Sequence, residues 1–308
     1  MRANRRFAGG PLARRIKLID WAVRRLIINA DDFGLTRGVN RAVVELHQSG
    51  VLSSATLMTH APATEDAIEL ALATPSLGVG CHVVLVDGEP VSNPSAIRTL
   101  IEPETDRFYA DLGTFVSRLL LGRIRPADIQ AEAAAQISLL KSRGIQLTHI
   151  DTHKHTHMFP AVLRPLLRAG LAMGIRTVRN PFEPAWSRRV APRVPVARRI
   201  ELSMLGHLEP AFRRIVGEHG FTTTDGSLGV LATGTLDASA ISSLLQRIPD
   251  GTWELVTHPG YNDGDLNAAH TRLKASREIE RQALAALDGD GDVKLTSFAN
   301  LAGGWKNK

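Results

Sequence analysis

The sequence predicts an α/β fold built on a parallel sheet, and three observations carry that expectation. From residue 26 onward, short apolar runs alternate with stretches of helical spacing. Polar, chemistry-bearing residues gather where the apolar runs end, which in such folds is the rim that builds the active site. The chain has 308 residues, 44% hydrophobic and 22% charged, enough to bury one large core. Alternation alone leaves the sheet either closed into a barrel or open and doubly wound.

The elements follow in order. Residues 26–29 form a first strand, stopped by Asp31-Asp32 and turned at Gly34. Residues 39–48 have helical spacing and end at Gly50; 53–58 are a second strand and 64–73 a helix before Pro75. A third strand, 78–86, contains His82. Residues 129–142 are helical and close at Gly144, 147–151 are a fourth strand, and 161–172 are a helix before Gly174. Residues 177–179 read as a short strand, and the Pro- and Arg-rich stretch from 181 to about 199 as a long loop or lid. Then come a helix at 238–247, a strand at 254–257, a long helix at 271–287 and a last strand at 293–296. No internal boundary divides the chain. Residues 1–24 are expected as a poorly ordered basic extension and 25–308 as one domain.

Composition excludes several functional classes. The net charge of +6 sits in the first 25 residues, where eight Lys/Arg face Asp20 alone, so the folded body is near neutral. A nucleic-acid binder needs positive charge spread over its folded surface, and this chain lacks it. The basic N-terminus suits peripheral contact with anionic lipid, and equally a solvated extension or an upstream start codon. No run approaches about 18 apolar residues, and no apolar h-region precedes Lys17. The single cysteine, Cys81, excludes an intramolecular disulfide and fits the cytoplasm, with membrane association left to the N-terminus.

Four places carry chemistry. Asp31 and Asp32 follow an apolar strand; adjacent desolvated carboxylates call for a cation or a shared proton, though Asp also caps and turns. His82 lies in an apolar strand, where a hydrogen-bonded core histidine competes with a metal ligand. Residues 148–157 hold four histidines and Asp151, and alternation along an extended segment puts His149, Asp151, His153, His155 and His157 towards one side. Such a cluster suits a divalent metal better than packing or a solvated loop. His258, before Pro259-Gly260 at a strand end, is a candidate general acid or a turn residue. Nucleophile elbow, phosphate loop, dinucleotide turn and Cys-x-x-Cys pair are all missing.

Together these segments make the chain resemble the YdjC-like carbohydrate deacetylases, the family of chito-oligosaccharide deacetylase and the hopanoid-biosynthesis-associated deacetylase. The match runs from Arg25 to about Leu301 on Asn-Ala-Asp-Asp-Phe-Gly-Leu (29–35), Gly-Cys-His-Val-Val-Leu (80–85), Thr-His-Ile-Asp-Thr-His-Lys-His-Thr-His-Met-Phe-Pro (148–160) and Thr-His-Pro-Gly-Tyr (257–261). Thr152 departs from the Ser or Ala of relatives, with no expected consequence, and residues 84–91 lean towards the hopanoid-associated branch. The resemblance implies a distorted single-domain (β/α) barrel, often a homodimer, with the site at the carboxyl ends of the strands. It implies Asp32, His82 and His153 as ligands of one divalent ion (magnesium or zinc foremost, then manganese or cobalt), Asp31 as base and His258 as acid. Asp151, His155 and His157 would support the site or touch substrate. Arg176 and Arg179, at the end of the short strand 177–179, read either as a grip on sugar hydroxyls or a phosphate or as surface residues. The implied reaction removes the acetyl group from an N-acetylated amino sugar, free or lipid-linked, and releases acetate. Another metal-dependent amidohydrolase would use the same ligands, and a catalytically silent sugar-binding protein would have lost some of them.

Overall fold

The computed structural model describes residues 23–190, 195–287 and 292–303, so residues 1–22 of the expected N-terminal extension lie outside the described residues. Seven strands are present among them: β1 Arg24–Phe33, β2 Ser54–Leu57, β3 Gly78–Val83, β4 Leu147–Thr152, β5 Gly226–Leu228, β6 Gly251–Thr257 and β7 Val293–Leu295. All pair in parallel, in the order β4-β3-β2-β1-β6-β5, with β7 against the first half of β1.

The far edge of β4 does not end the sheet. Ile150 bridges Val178, Thr177 bridges Thr222, and the Ser227 N–H donates to the Phe182 carbonyl at 3.0 Å. Residues 177–182 thus span the gap between β4 and β5 with a few hydrogen bonds in place of a full strand. The result is a distorted parallel barrel, as expected, ringed by helices.

Register shows what faces inward. Asn29 pairs with Ser54, Ser54 with Gly78, His82 with Asp151, and Ser227 with Glu254. Because side chains alternate along a strand, these partners point to the same side. That side is the barrel interior, and it is polar. The outward positions Leu26, Ile28, Ala30, Ala55, Leu57, Val79, Cys81, Val83, Ile150 and Leu255 are buried in the apolar layer beneath the helices. Gly80 is required inside: a Cβ there would lie 2.4 Å from the His149 ring, which fills that level of the barrel. Phe298 stacks on His149 at 3.8 Å between ring centroids.

Several helices differ from expectation. The stretch read as a long loop carries helices Ala185–Val190 and Val196–Leu205. Pro184 and Pro195 sit immediately before them, where proline favours a helix start. Helices Leu112–Leu120 and Glu209–Glu218 and strand β5 were not anticipated, the last because three residues are too short to show alternation. The long helix expected at 271–287 is Ala275–Ala285, after a short turn of helix at Gly264–Ala268. No helix among the described residues is long and apolar enough to cross a membrane.

Candidate metal centre and carboxylate network

β1 delivers Asp31 and Asp32 to one place by breaking its own alternation. The β1–β2 register shifts between Ala30 and Phe33, and Asp32 takes a left-handed backbone, φ 62°. In a regular strand the two side chains would point to opposite faces; the bulge turns Asp32 back beside Asp31. A non-glycine residue in that region is strained, and such strain collects at functional sites.

Asp31 is buried and heavily bonded. Its Oδ1 accepts from Asn29 Nδ2 at 2.9 Å, Thr56 Oγ1 at 2.8 Å and Arg179 Nη2 at 2.6 Å. Its Oδ2 accepts from Arg179 Nη1 at 2.9 Å and lies 3.8 Å from His258 Nε2. Burial by itself would raise this carboxyl, but Arg179, His82 and His258 outweigh it and hold it far below the usual carboxylate range. Arg179 also pairs with Asp151 and with Glu254, whose Oε1 accepts its Nε at 2.8 Å. One fully buried guanidinium therefore serves three carboxylates. Burial pushes Glu254 up to about 7, in part offset by Arg179.

His82 is oriented from behind. Its Nδ1 faces both Asp151 oxygens at 2.8 and 3.0 Å, which leaves Nε2 towards Asp32 Oδ1 at 3.5 Å and His153 Nδ1 at 3.3 Å. His153 Nδ1 lies 3.3 Å from the same Oδ1. Three donor atoms thus form a triangle with edges of 3.3–3.5 Å. Bonds of 2.0–2.1 Å to a tetrahedral ion put neighbouring ligands roughly 3.4 Å apart, so this donor set fits a divalent ion. Asp32 Oδ1 is buried without a hydrogen-bond partner, as an oxygen reserved for an ion would be. The carboxylate behind His82 is the arrangement that fixes a ligating imidazole's tautomer. A second grouping, Asp31 with His82 and Asp151, also brings ligand atoms close. There the oxygens already bind Arg179 and His82 Nδ1, so it is an ion-pair network.

The expected line of histidines breaks at His153. β4 ends at Thr152, and Lys154 and His155 both adopt left-handed backbones, φ 57° and 53°. The Thr152 hydroxyl organises this turn: it receives the His157 N–H at 3.0 Å and Thr156 Oγ1 at 2.9 Å, and meets His157 Nδ1 at 2.8 Å. Thr152 was expected to be inconsequential; its hydroxyl is structural, and alanine would lose it. His149 and Asp151 do share the barrel interior, but His149 lies a level below, stacked on Phe298. His157 is fully buried and His155 half-buried, their rings 6.3 Å apart. Burial drives His155 well below the usual histidine range and His157 to about 4.

His258 ends β6 facing Asp31. Its backbone N–H donates to Glu280 Oε2 at 2.6 Å, and its Nδ1 lies 4.0 Å from the same carboxylate. Burial lowers the ring to about 4, although Asp31 and Asp32 oppose that shift. Of the two arginines considered for the site, Arg179 is at its centre, bonded to carboxylates. Arg176 is exposed beside Gly220, and its carbonyl accepts the Thr222 N–H at 2.8 Å.

Glu254, Arg277 and Glu280 were missed, along with Asn29 and Thr56. A signal existed for two of them. Arg277 and Glu280 share the buried face of helix Ala275–Ala285 with Ala283 and Leu284, and charges in an apolar stripe are rarely accidental.

Comparisons place this geometry in a lineage. Residues 25–288 match the YdjC-like protein family. A carbohydrate deacetylase of Brevibacillus brevis is 42% identical over 283 residues, covering 90% of this chain and 99% of that one. A carbohydrate deacetylase of Clostridium beijerinckii is 38% identical over 286 residues, covering 90% and 100%. In three dimensions the chain superposes on EF3048 of Enterococcus faecalis V583, described only provisionally as a cellobiose-phosphate cleavage protein. The TM-score is 0.70 at 23% identity, covering 91% and 99%, and the likeness is one of fold. The chain belongs to the YdjC-like family.

Proposed function

We propose that the protein is a metal-dependent deacetylase that hydrolyses the N-acetyl group of an amino sugar and releases acetate. The observation that carries this reading is the triangle of Asp32, His82 and His153 beside an ionised, arginine-held Asp31. Its full-length likeness to the Brevibacillus and Clostridium carbohydrate deacetylases supports the substrate class. A divalent ion held by those three residues would polarise the acetyl carbonyl and lower the pKa of a bound water. Two imidazole nitrogens and one carboxylate oxygen suit zinc or cobalt better than magnesium.

The geometry supports roles for the remaining residues. Asp31 has three hydrogen bonds on Oδ1, so Oδ2 is the oxygen available to take a proton from the attacking water. His258 Nε2 faces that oxygen at 3.8 Å. With its pKa at about 4, the His258 ring is neutral at pH 7 and must receive a proton before it can give one. Asp31, held ionised by Arg179, takes the water's proton as the attack proceeds and passes it on. The proton therefore passes from water to Asp31, on to His258 and then to the departing amine, which leaves only when protonated. Arg179 keeps Asp31 ionised and oriented, and Glu280 anchors the backbone of His258.

Two substrates suit the reading, a chito-oligosaccharide and an N-acetylglucosaminyl lipid such as a hopanoid. The test is acetate release from N,N′-diacetylchitobiose and from an N-acetylglucosaminyl hopanoid, using EDTA-treated and metal-restored protein. Metal-dependent release is expected from one of them. No acetate from either, with metal shown to be bound, would transfer the proposal to another amide.

A further inference from the structure

Arg277 is a fully buried arginine on helix Ala275–Ala285, 245 residues along the chain from the carboxylate it meets. Its Nη2 donates to Asp32 Oδ2 at 2.5 Å, and its Nε donates to the Leu273 carbonyl at 3.0 Å. Its stem passes beneath Gly260, where a Cβ would lie 3.2 Å from Arg277 Cδ. The Gly260 N–H in turn donates to the Arg277 carbonyl at 3.2 Å. Its remaining amino group, Nη1, is buried without a protein partner. An arginine retained only for packing would be expected to satisfy its buried donors.

The two oxygens of Asp32 are thereby made unlike. Oδ2 is taken by a charge-assisted hydrogen bond; Oδ1 is unpartnered and faces His82 Nε2 and His153 Nδ1. We propose that Arg277 is the positioning residue of the metal site: by holding Oδ2 it fixes the Asp32 rotamer, so that the carboxylate binds the ion through Oδ1 alone. This inference rests on the reading of Asp32, His82 and His153 as metal ligands. It also explains how adjacent carboxylates coexist in a buried site, since each has its own guanidinium, Arg179 for Asp31 and Arg277 for Asp32.

Charge and position predict opposite signs. A cation beside a ligand weakens the pull on a divalent ion, so if Arg277 acted only as a charge, its removal would tighten binding. If it positions Asp32, removal frees the carboxylate to rotate and weakens binding, by roughly 10–100-fold for such outer hydrogen-bond partners.

The experiment is calorimetric titration of EDTA-stripped protein with zinc, in wild type, Arg277→Gln, Arg277→Lys, Asp32→Asn and the Asp32→Asn/Arg277→Gln pair. Arg277→Gln is expected to weaken zinc binding at least about tenfold. Adding it to Asp32→Asn is expected to cost less than about twofold more, because the effect runs through Asp32. Equal or tighter binding by folded Arg277→Gln overturns the proposal, as does a full loss that persists in the Asp32→Asn background. Should Arg277→Gln fail to fold, Arg277→Lys carries the test: weaker binding supports positioning, and unchanged or tighter binding overturns it. A wild type that takes up no zinc, cobalt, manganese or magnesium would instead sink the metal-site reading itself.

Discussion

Arg179 concentrates more of the site's energetics than any other single side chain. It is buried against Asp31, Asp151 and Glu254, and removing one partner of a buried ion-pair network leaves uncompensated charge. Arg179→Met is therefore expected to lower stability by roughly 3–5 kcal/mol, read by denaturant unfolding. A loss below about 1 kcal/mol would show that the carboxylates are neutralised some other way. His82 leads to a second expectation. Burial lowers it, but Asp151 and Asp31 outweigh burial and hold it up to about 10, so without an ion it carries a proton at neutral pH. Metal binding must displace that proton, and affinity should rise with pH. Calorimetry in buffers of different ionisation enthalpy should find about one proton released per ion. Asp31→Asn keeps the ligand triangle and removes the acceptor, so it should retain metal and lose turnover by 10²-fold or more, on the order of a lost general base.

At the level of elements, the site depends on two deliberate irregularities. The bulge at Asp32 turns its side chain beside Asp31, and the left-handed pair Lys154–His155 turns the chain away from the barrel strand just after His153. The opposite requirement holds at Gly80, where β3 must stay smooth to admit the His149 ring from β4. Gly80→Ala is expected to destabilise by about 1–3 kcal/mol through overpacking. Replacing His149 by serine in the same chain should recover part of that loss, since the clash is specific to the ring. Additive penalties in the thermal midpoints of the two single variants and the double variant would refute this account.

At the scale of the whole molecule, the polar barrel interior sets how stability responds to pH. Burial drives His149 to about 3 and His157 to about 4, both below the 6.5 of an unfolded chain. The unfolded state then binds more protons, so the stability these neutral rings allow is fully present above pH 6.5 and is lost as pH falls towards 4 and 3. The thermal midpoint should drop across that window, and less steeply in His157→Gln. Parallel curves for the two proteins would assign the acid loss to other groups. The ion itself is not expected to be a folding requirement, because guanidinium groups already balance Asp31 and Asp32. EDTA-treated protein should keep its circular dichroism spectrum and a cooperative melt.

By itself, the sequence determined the α/β class, most strands and the clusters that carry chemistry. Those features are local, being apolar runs of fixed period and unusual residues at fixed spacing. It placed Asp31, Asp32, His153 and His258 at strand ends and His82 within a strand, and the barrel brings all five together. Only the tertiary structure decided the direction of each side chain. A strand pattern extrapolates in straight alternation, and the left-handed turns at Asp32 and Lys154 break it for reasons that lie across the barrel. The partners of the carboxylates were beyond local reading too: Arg277 and Glu254 meet their partners from distant segments. A buried charge is stabilised by whatever counter-charge the fold carries to it, and sequence spacing does not encode that distance.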